Sequence, residues 1–396
     1  MKSIIEMAST FPRKKNDTEP KFIYELCKRL TSNFKVIVLA PHSLDAKTEE
    51  TIDGIVVKRF KYFFSKMQKL AYDGGIANNI KNNRLVALLI PFFLFFNCIA
   101  LIRILKSEKI DAIHAHWIIP QALVAIIARF ICNKNVPILC TSHGGDLYCF
   151  DNWLFRKLKI FILKRCEAIS VVSSMMKDDI VSWGINANKI SVLPMGTDLK
   201  NCFYDDKSIQ KKDNGILFVG RLVPKKGVNV LIEALKYIPD TITNFRLDIV
   251  GDGPERQNLE ELTVKLKLNH KVHFLGAKKY DELPAIYRQY PISIVPSITA
   301  DNGDREGFGL VCVEAIGCGC SVVASNYGAI TDIIEDGKTG IIVKQNSPKD
   351  LGEAITSLLV NPDLVSNIST NAMKSVAKFD WTCISDKYST LIEEII

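Results

Sequence analysis

Short apolar runs recur along the whole chain, and each ends in a polar or glycine-containing stretch. They occupy 3–8, 35–40 (KVIVLA), 54–59 (GIVVKR), 111–114, 136–141 (VPILCT), 169–172 and 190–195, then 215–220 (GILFVG), 245–250 (FRLDIV), 272–276, 292–296, 322–324 and 340–343. Most are apolar at nearly every position, the pattern of strands covered on both faces of a parallel sheet. Between them lie segments with helical periodicity. Residues 20–30 put Phe22, Ile23, Leu26 and Leu30 on one side, 228–237 is amphipathic, and 379–396 carries Trp381, Ile384, Tyr388, Leu391 and Ile395. Strand and helix alternating in this way predict an α/β protein built from doubly wound sheets.

The periodic pattern lapses once, at 203–213, where DDKSIQKKD has no apolar repeat and reads as a linker. With 396 residues, the chain is long enough for two cores. The expected domains are 1–200 and 214–378, joined by a linker at 201–213, with the helix 379–396 packing back on the first.

Charge narrows the partners. The net charge of +8 suits anionic ligands, phosphates or an anionic membrane face. Lys and Arg are spread evenly, without the clustered stripe of a nucleic-acid binder. The 11 cysteines are scattered, with no C-x-x-C pair, and predict reduced, buried thiols and no metal framework. No secretory signal pattern opens the chain, so a cytoplasmic setting is expected. Residues 85–102 (LVALLIPFFLFFNCIALI), between Arg84 and Arg103, carry no charge and reach the lower limit for a membrane span. Pro91 and Asn97 interrupt them, so a packed or interfacial helix pair is the expectation rather than a span.

Candidate chemistry concentrates at 304–325, DREGFGLVCVEAIGCGCSVVAS. Gly307 and Gly309 flank Phe308 and allow close backbone approach to a ligand. A helix starting at Leu310 turns its free N–H groups toward that loop, which favours phosphate. Glu314 sits inside this apolar helix, where a ligand hydroxyl would satisfy it, and Glu306 stands at the mouth of the loop. Phosphate on backbone and hydroxyls on carboxylates describe a sugar nucleotide; a solvated glutamate beside ordinary turn glycines is the alternative. Gly220, Arg221, Lys225 and Lys226 follow a buried strand and suit a diphosphate, or form a solvated basic turn. Ser142-His143-Gly144-Gly145-Asp146 ends another strand, where open α/β sheets bind ligands; a turn with an aspartate cap is the alternative.

Some chemistry is excluded. His114 and His116 share one side of a strand, yet no third ligand follows at a metal-site spacing. Gly251-Asp252-Gly253 leads to Arg256 where G-x-G-x-x-G requires glycine, so a nicotinamide cofactor is not expected. No D-x-D metal motif is present, and neither a metal nor any other cofactor is expected.

The E-x7-E spacing of Glu306 and Glu314 within EGFG resembles retaining glycosyltransferases of the GT-B fold, family 4 (glycosyl transferases group 1). Arg221 and Lys226 fall on the two cations of the family's element that opens Gly-Arg and closes Lys-Gly (Gly220-Arg221 to Lys226-Gly227), His143 on its H-G-x-D, and His114–Trp117 on H-x-H-W. The string SVLPMGTD resembles its first-domain terminus. Together these motifs span nearly the whole chain. The resemblance implies two Rossmann-like domains facing a central cleft, with acceptor contacts in the first and the donor in the second.

It also implies roles. Gly220, Arg221, Lys226, Glu306, Gly307, Phe308, Gly309, Leu310 and Glu314 would hold a nucleotide-diphosphate sugar, UDP being the commonest. Glu314 would take the ribose hydroxyls and Glu306 a sugar hydroxyl. Arg221 and Lys226 would neutralise the leaving diphosphate, and His143 would serve as a hydrogen-bond donor beside the sugar. A lipid-linked or polysaccharide acceptor and peripheral membrane contact are the expected partners. The chain departs from the family at 14–20, where a charged loop without glycine replaces the usual Gly-Gly pair. A sugar-nucleotide epimerase on the same fold and a non-catalytic membrane-associated scaffold are the rival readings.

Overall fold

The computed structural model describes residues 1–396 except 15–16, 18–20, 45, 73–74, 150–151 and 302, and the side chains of 77–78. Most of the charged loop at 14–20, the expected start of the first helix at 20, and position 302 of the loop before Asp304 therefore lie outside the described residues. The chain divides into two compact units, Met1–Gly196 with Trp381–Ile396, and Thr197–Asp380.

The first unit is built on one eight-stranded sheet in the order β3-β4-β2-β1-β5-β6-β7-β8. Its strands are β1 (Lys2–Met7), β2 (Phe34–Pro41), β3 (Glu49–Ile52), β4 (Ile55–Phe60), β5 (Ala112–His116), β6 (Ile138–Ser142), β7 (Ala168–Val171) and β8 (Ile190–Val192). All neighbours run parallel except β3, which forms an antiparallel hairpin with β4. The apolar-run reading missed β3 because none of its residues EETI is buried. Asp53 and Gly54, with φ of 46° and 82°, make the turn, and an Asp-Gly pair is a hairpin signal that could have found it.

The helix Trp381–Ile395 belongs to this unit by its packing: Trp381, Ile384, Tyr388 and Ile392 are buried. The Tyr388 hydroxyl donates to the Leu193 carbonyl at 3.1 Å. Arg29 lies over the Trp381 ring at 5.2 Å, and a Cβ on Gly196 would come within 2.5 Å of that ring.

The apolar segment differs from the expected helix pair. A short 3-10 stretch, Arg84–Leu89, leads into a single helix, Ile90–Ser107, with Pro91 in its first turn, where its missing N–H costs nothing. Only Phe93, Asn97, Leu101, Ile104 and Leu105 are buried, a seam along one side. Phe93 packs edge-on against Phe60 and Tyr62. Asn97 does not break the helix; it donates to Gln121 Oε1 at 2.8 Å, and Gln121 donates to Ser9 Oγ at 3.0 Å. Leu85, Leu88, Phe92, Phe95 and Phe96 face outward.

The second unit holds a six-stranded parallel sheet, β11-β10-β9-β12-β13-β14. The strands are β9 (Gly215–Val219), β10 (Arg246–Val250), β11 (Val272–Gly276), β12 (Ile292–Val295), β13 (Ser321–Ser325) and β14 (Ile341–Val343). Its core includes Ile216, Phe218, Leu231, Leu247, Ile249, Ile294 and Ile355. All 11 cysteines are free thiols; Cys312, Cys318 and Cys320 are buried, the last donating to the carbonyls of Tyr287 and Tyr290.

Candidate active site

In the second unit the site grows from the loops that follow β9, β10 and β12. Gly251 has φ 147°, and a Cβ there would meet the Gly220 carbonyl oxygen at 1.8 Å; one on Gly253 would meet that of Leu222 at 2.3 Å. The glycines let the turn after β10 lie flat against 220–222. Leu222 N–H then donates to Asp252 O at 2.9 Å, and Glu255 N–H to Leu222 O at 3.1 Å. The Gly-x-Gly pair therefore buttresses the basic loop that carries Arg221, Lys225 and Lys226. Gly227 continues this construction at φ 62°, where a Cβ would lie 2.0 Å from the Pro296 carbonyl oxygen.

Lys226 forms an ion pair with Glu306, both largely buried, and Lys225 pairs with Asp304 at 3.0 Å. Burial alone would raise the Glu306 pKa, but the charge and hydrogen bond of Lys226, with help from Lys225 and the Gly307 N–H, hold it below the usual carboxylate range. Glu306 is thus an anion, and Lys226 is held toward the same loop. Arg221 is exposed near the start of the loop after β9.

The helix Leu310–Gly317 begins behind Gly309, whose φ of 99° turns the chain into it, and no side chain caps the first turn. A Cβ on Gly309 would lie 2.2 Å from the Tyr327 hydroxyl, which itself donates to the Phe308 carbonyl at 3.2 Å. Close packing and backbone sign both require glycine here. Phe308 is buried against Phe379. Four residues into the helix, Glu314 is only 4% exposed. Burial pushes it up to about 7, against hydrogen bonds from Tyr280 and Tyr287 and the charge of Lys226. The structure therefore brings Gly220, Lys226, Glu306–Leu310 and Glu314 to the loops at one end of this sheet, and adds Tyr280, Tyr287 and Tyr327. These tyrosines lie in no motif, so no local signal marks them.

In the first unit His143 sits just past β6, and its surroundings come from three other strand ends. Glu6 on β1 is paired in register with His114 on β5. Glu6 Oε2 lies 2.9 Å from His116 Nε2; His114 Nδ1 is 2.8 Å away, off the line of a good hydrogen bond. His116 Nδ1 in turn meets His143 Nε2 at 3.1 Å, and His114 Nε2 meets Thr141 Oγ1 at 2.7 Å. Burial would raise Glu6, but His114 and His116 outweigh it and hold the carboxyl at about 2. Burial, then the neighbouring His114, lowers His116 to about 4, and burial with His116 and His114 lowers His143 well below its ordinary value. Both imidazoles are neutral at pH 7.

The partner missing from the H-x-H spacing is thus Glu6, more than a hundred residues upstream on the adjacent strand. These three groups are of metal-ligand type and lie within 4.8 Å of one another. Tetrahedral zinc with bonds of about 2.0 Å would hold its ligands roughly 3.3 Å apart. The 2.8 and 2.9 Å contacts to a single Glu6 oxygen are both shorter than that spacing, and the one from His116 is a hydrogen bond. Asp146 organises the remaining backbone: it accepts from Ile118 N–H at 2.8 Å, Ser142 Oγ at 2.9 Å and His143 N–H at 3.1 Å. Burial nonetheless raises it above the ordinary aspartate range.

Both halves of the chain match known families. Glycosyltransferase Family 4 matches residues 21–201, and Glycosyl transferases group 1 matches residues 203–375. An uncharacterized glycosyltransferase of Methanocaldococcus jannaschii is 32% identical over 280 residues, 70% of this chain and 74% of the relative. The chain belongs to the group 1, family 4 glycosyltransferases of the GT-B fold.

This glycosyltransferase is also 26% identical over 304 residues to a GDP-mannose-dependent α-(1-6)-phosphatidylinositol monomannoside mannosyltransferase of Mycobacterium tuberculosis, covering 73% of this chain and 77% of that one. In fold it matches Anabaena HepE, crystallised in complex with UDP, at TM-score 0.75 and 19% identity over all of both chains. Sucrose-phosphate synthase of Thermosynechococcus elongatus matches at TM-score 0.78 and 20% identity, over 100% of this chain and 99% of that one. As an enzyme, the glycosyltransferase has in its second unit a fixed anion, a fixed cation and an uncapped helix start in neighbouring loops. That set can bind hydroxyls and phosphate oxygens together.

Proposed function

We propose that this glycosyltransferase moves a sugar from a nucleotide-diphosphate donor to an acceptor hydroxyl with retention of anomeric configuration. The observation that carries this reading is the Lys226–Glu306 pair beside the uncapped start of Leu310–Gly317, with buried Glu314 inside that helix. The helix N–H groups and the cations Arg221 and Lys226 take the diphosphate; Glu314 accepts from the ribose hydroxyls and Glu306 from a sugar hydroxyl. As the sugar–phosphate bond lengthens, negative charge grows on the departing diphosphate, where Arg221 and Lys226 stabilise it. The leaving phosphate oxygen takes the acceptor proton on the same face. UDP is the favoured nucleotide, supported by the UDP and UDP-glucose bound in the HepE crystals; the mannosyltransferase relative makes GDP the competing candidate.

The acceptor in this reading is lipid-linked or a growing polysaccharide at the cytoplasmic face of a membrane. The helices Ile90–Ser107, Leu123–Cys132 and Trp153–Lys164 connect β4 to β5, β5 to β6 and β6 to β7. Right-handed crossovers stepping one way across a sheet put them on a single face. They expose Phe92, Phe95, Phe130 (86%), Ile131, Trp153 (70%) and Leu154 to solvent. They contain no Asp or Glu, and Arg103, Lys106, Arg156, Lys157 and Lys164 are exposed among the apolar residues. Aromatic and basic residues without acidic ones suit the interface of an anionic bilayer. The buried seam and the Asn97–Gln121–Ser9 hydrogen bonds tie Ile90–Ser107 to its own domain, which favours a helix lying on the membrane over one crossing it.

Thermal unfolding with UDP, GDP, ADP and CMP, on wild type and Glu314→Ala, tests the donor site. One nucleoside diphosphate should stabilise the wild type selectively, and the variant should lose that shift. No shift from any of them would favour the scaffold reading. Sedimentation with phosphatidylglycerol vesicles at low salt tests the membrane face; a protein that remains in the supernatant would contradict it.

A further inference from the structure

We propose that Glu6 and His116 are positioning residues that fix His143 as a hydrogen-bond acceptor, so that His143 recognises a ligand hydroxyl rather than an oxyanion. The polarity follows from donor and acceptor bookkeeping along one chain of contacts. An ionised carboxylate only accepts, so the His116 Nε2 that touches Glu6 Oε2 at 2.9 Å carries the proton. His116 is neutral, so its Nδ1 holds a lone pair and accepts. His143 Nε2, 3.1 Å away, must then donate, which places the single proton of neutral His143 on Nε2. Its Nδ1 is left as an acceptor. Among the described residues Nδ1 makes no hydrogen bond and is not sealed from solvent, and the ring is partly exposed.

Three aromatic neighbours fix the ring's plane. His116 stacks within 18° of parallel, Phe22 lies at 5.0 Å and Trp117 at 5.2 Å. A rotation that exchanged Nδ1 and Nε2 would break the contact to His116 and leave that buried nitrogen unpaired, at a cost of about 1–3 kcal/mol. The carboxylate thus exports its acceptor character through two imidazoles to the ligand side. This polarity is opposite to the donor role that the family resemblance implied. A phosphate or carboxylate oxygen cannot donate to Nδ1, whereas a sugar hydroxyl can. The consequence for the ligand depends on the glycosyltransferase site proposed above; the polarity of His143 does not.

The chain has only 6 histidines, which makes the proton positions measurable by nitrogen NMR on histidine-labelled, ligand-free protein. At pH 7 the wild type should show His143 as the Nε2–H tautomer. Glu6→Gln and His116→Phe should reduce that preference, by up to about tenfold for one lost hydrogen bond. His116→Gln, whose amide can donate to Glu6 and accept from His143, should restore it. A His143 found charged or as the Nδ1–H tautomer in the wild type would overturn the proposal. So would an unchanged tautomer in both Glu6→Gln and His116→Phe. Since His116 is fully buried, folding of each variant is read from its thermal melt, and Glu6→Gln, which preserves shape, remains informative if His116→Phe does not fold. The UDP-induced thermal shift, measured separately, reports on the donor site alone.

Discussion

Replacing Glu314 by Gln should stabilise the protein while impairing it as an enzyme, and the gain should depend on pH in a calculable way. The side chain is 4% exposed, and burial lifts its pKa from 4.5 to about 7. Below about pH 4.5 the carboxyl is neutral in both folded and unfolded chains and carries no ionisation cost. Between 4.5 and about 7 the unfolded chain ionises while the folded one keeps its proton, so the folded state binds more protons and stability falls as pH rises. Above about 7 the full cost is present. At about 1.4 kcal/mol per pH unit, that cost is about 1 kcal/mol at pH 5 and about 3 kcal/mol at pH 8.

Glutamine has nearly the shape of the protonated acid and no charge, so it removes the cost. Glu314→Gln should therefore melt higher than wild type at pH 8, by about 6–12 °C for a unit of this size, and by much less at pH 5. Thermal melts of both proteins across pH 5–8 provide the assay. Equal melting temperatures at pH 8, or a difference that does not vary with pH, would refute the premise that this carboxylate is buried without a fixed cation of its own. Ligand binding gives a linked expectation. A diol that donates to the ionised carboxylate releases a proton on binding, so UDP should bind more tightly as pH rises from 6 to 8, and the variant should lose that slope.

Lys226→Ala should lower turnover by about a hundredfold or more, measured as kcat with the stabilising nucleotide's sugar, because transition-state charge stabilisation of this kind carries that magnitude. The same variant should raise the Glu306 pKa, seen as a new acid limb in donor binding, since Lys226 is the principal group opposing burial there. Gly251→Ala should destabilise the second unit, as a Cβ only 1.8 Å from the Gly220 oxygen forces the loop after β9 outward; a melt and a weakened UDP shift would appear together. Asn97→Ala should cost about 1–3 kcal/mol in urea unfolding by leaving Gln121 Oε1 buried without its donor. Phe95→Ser with Phe130→Ser should reduce vesicle binding without lowering the melting temperature, both side chains being solvent-exposed.

The chain by itself determined its class, most of its strands and the residues that the loops of its second unit bring together. Continuous apolar runs mark strands buried on both faces whatever their order, and the loops of the proposed phosphate site carry local signatures: Gly-x-Gly, paired lysines, and a helix opening behind glycine. Glu306, Gly309 and Glu314 lie within nine residues of one another, so a single helix and its loop suffice to bring them together. β3 escaped because an exposed edge strand has no apolar run, although its Asp-Gly turn was visible.

Tertiary structure alone decided the rest. The sequence showed no third partner for His114 and His116; parallel pairing of β1 with β5 set Glu6 beside them, a contact more than a hundred residues apart in sequence. The acceptor polarity of His143 depends on that register, since a shift of one residue would turn Glu6 to the other side of the sheet. The fate of the apolar stretch 85–102 was equally hidden. Its composition fits a buried, spanning or interfacial helix alike, and only the packing showed one narrow seam buried and the aromatic side left open. Local interactions are written in neighbouring residues, whereas which distant groups share a buried space is set by strand order and register.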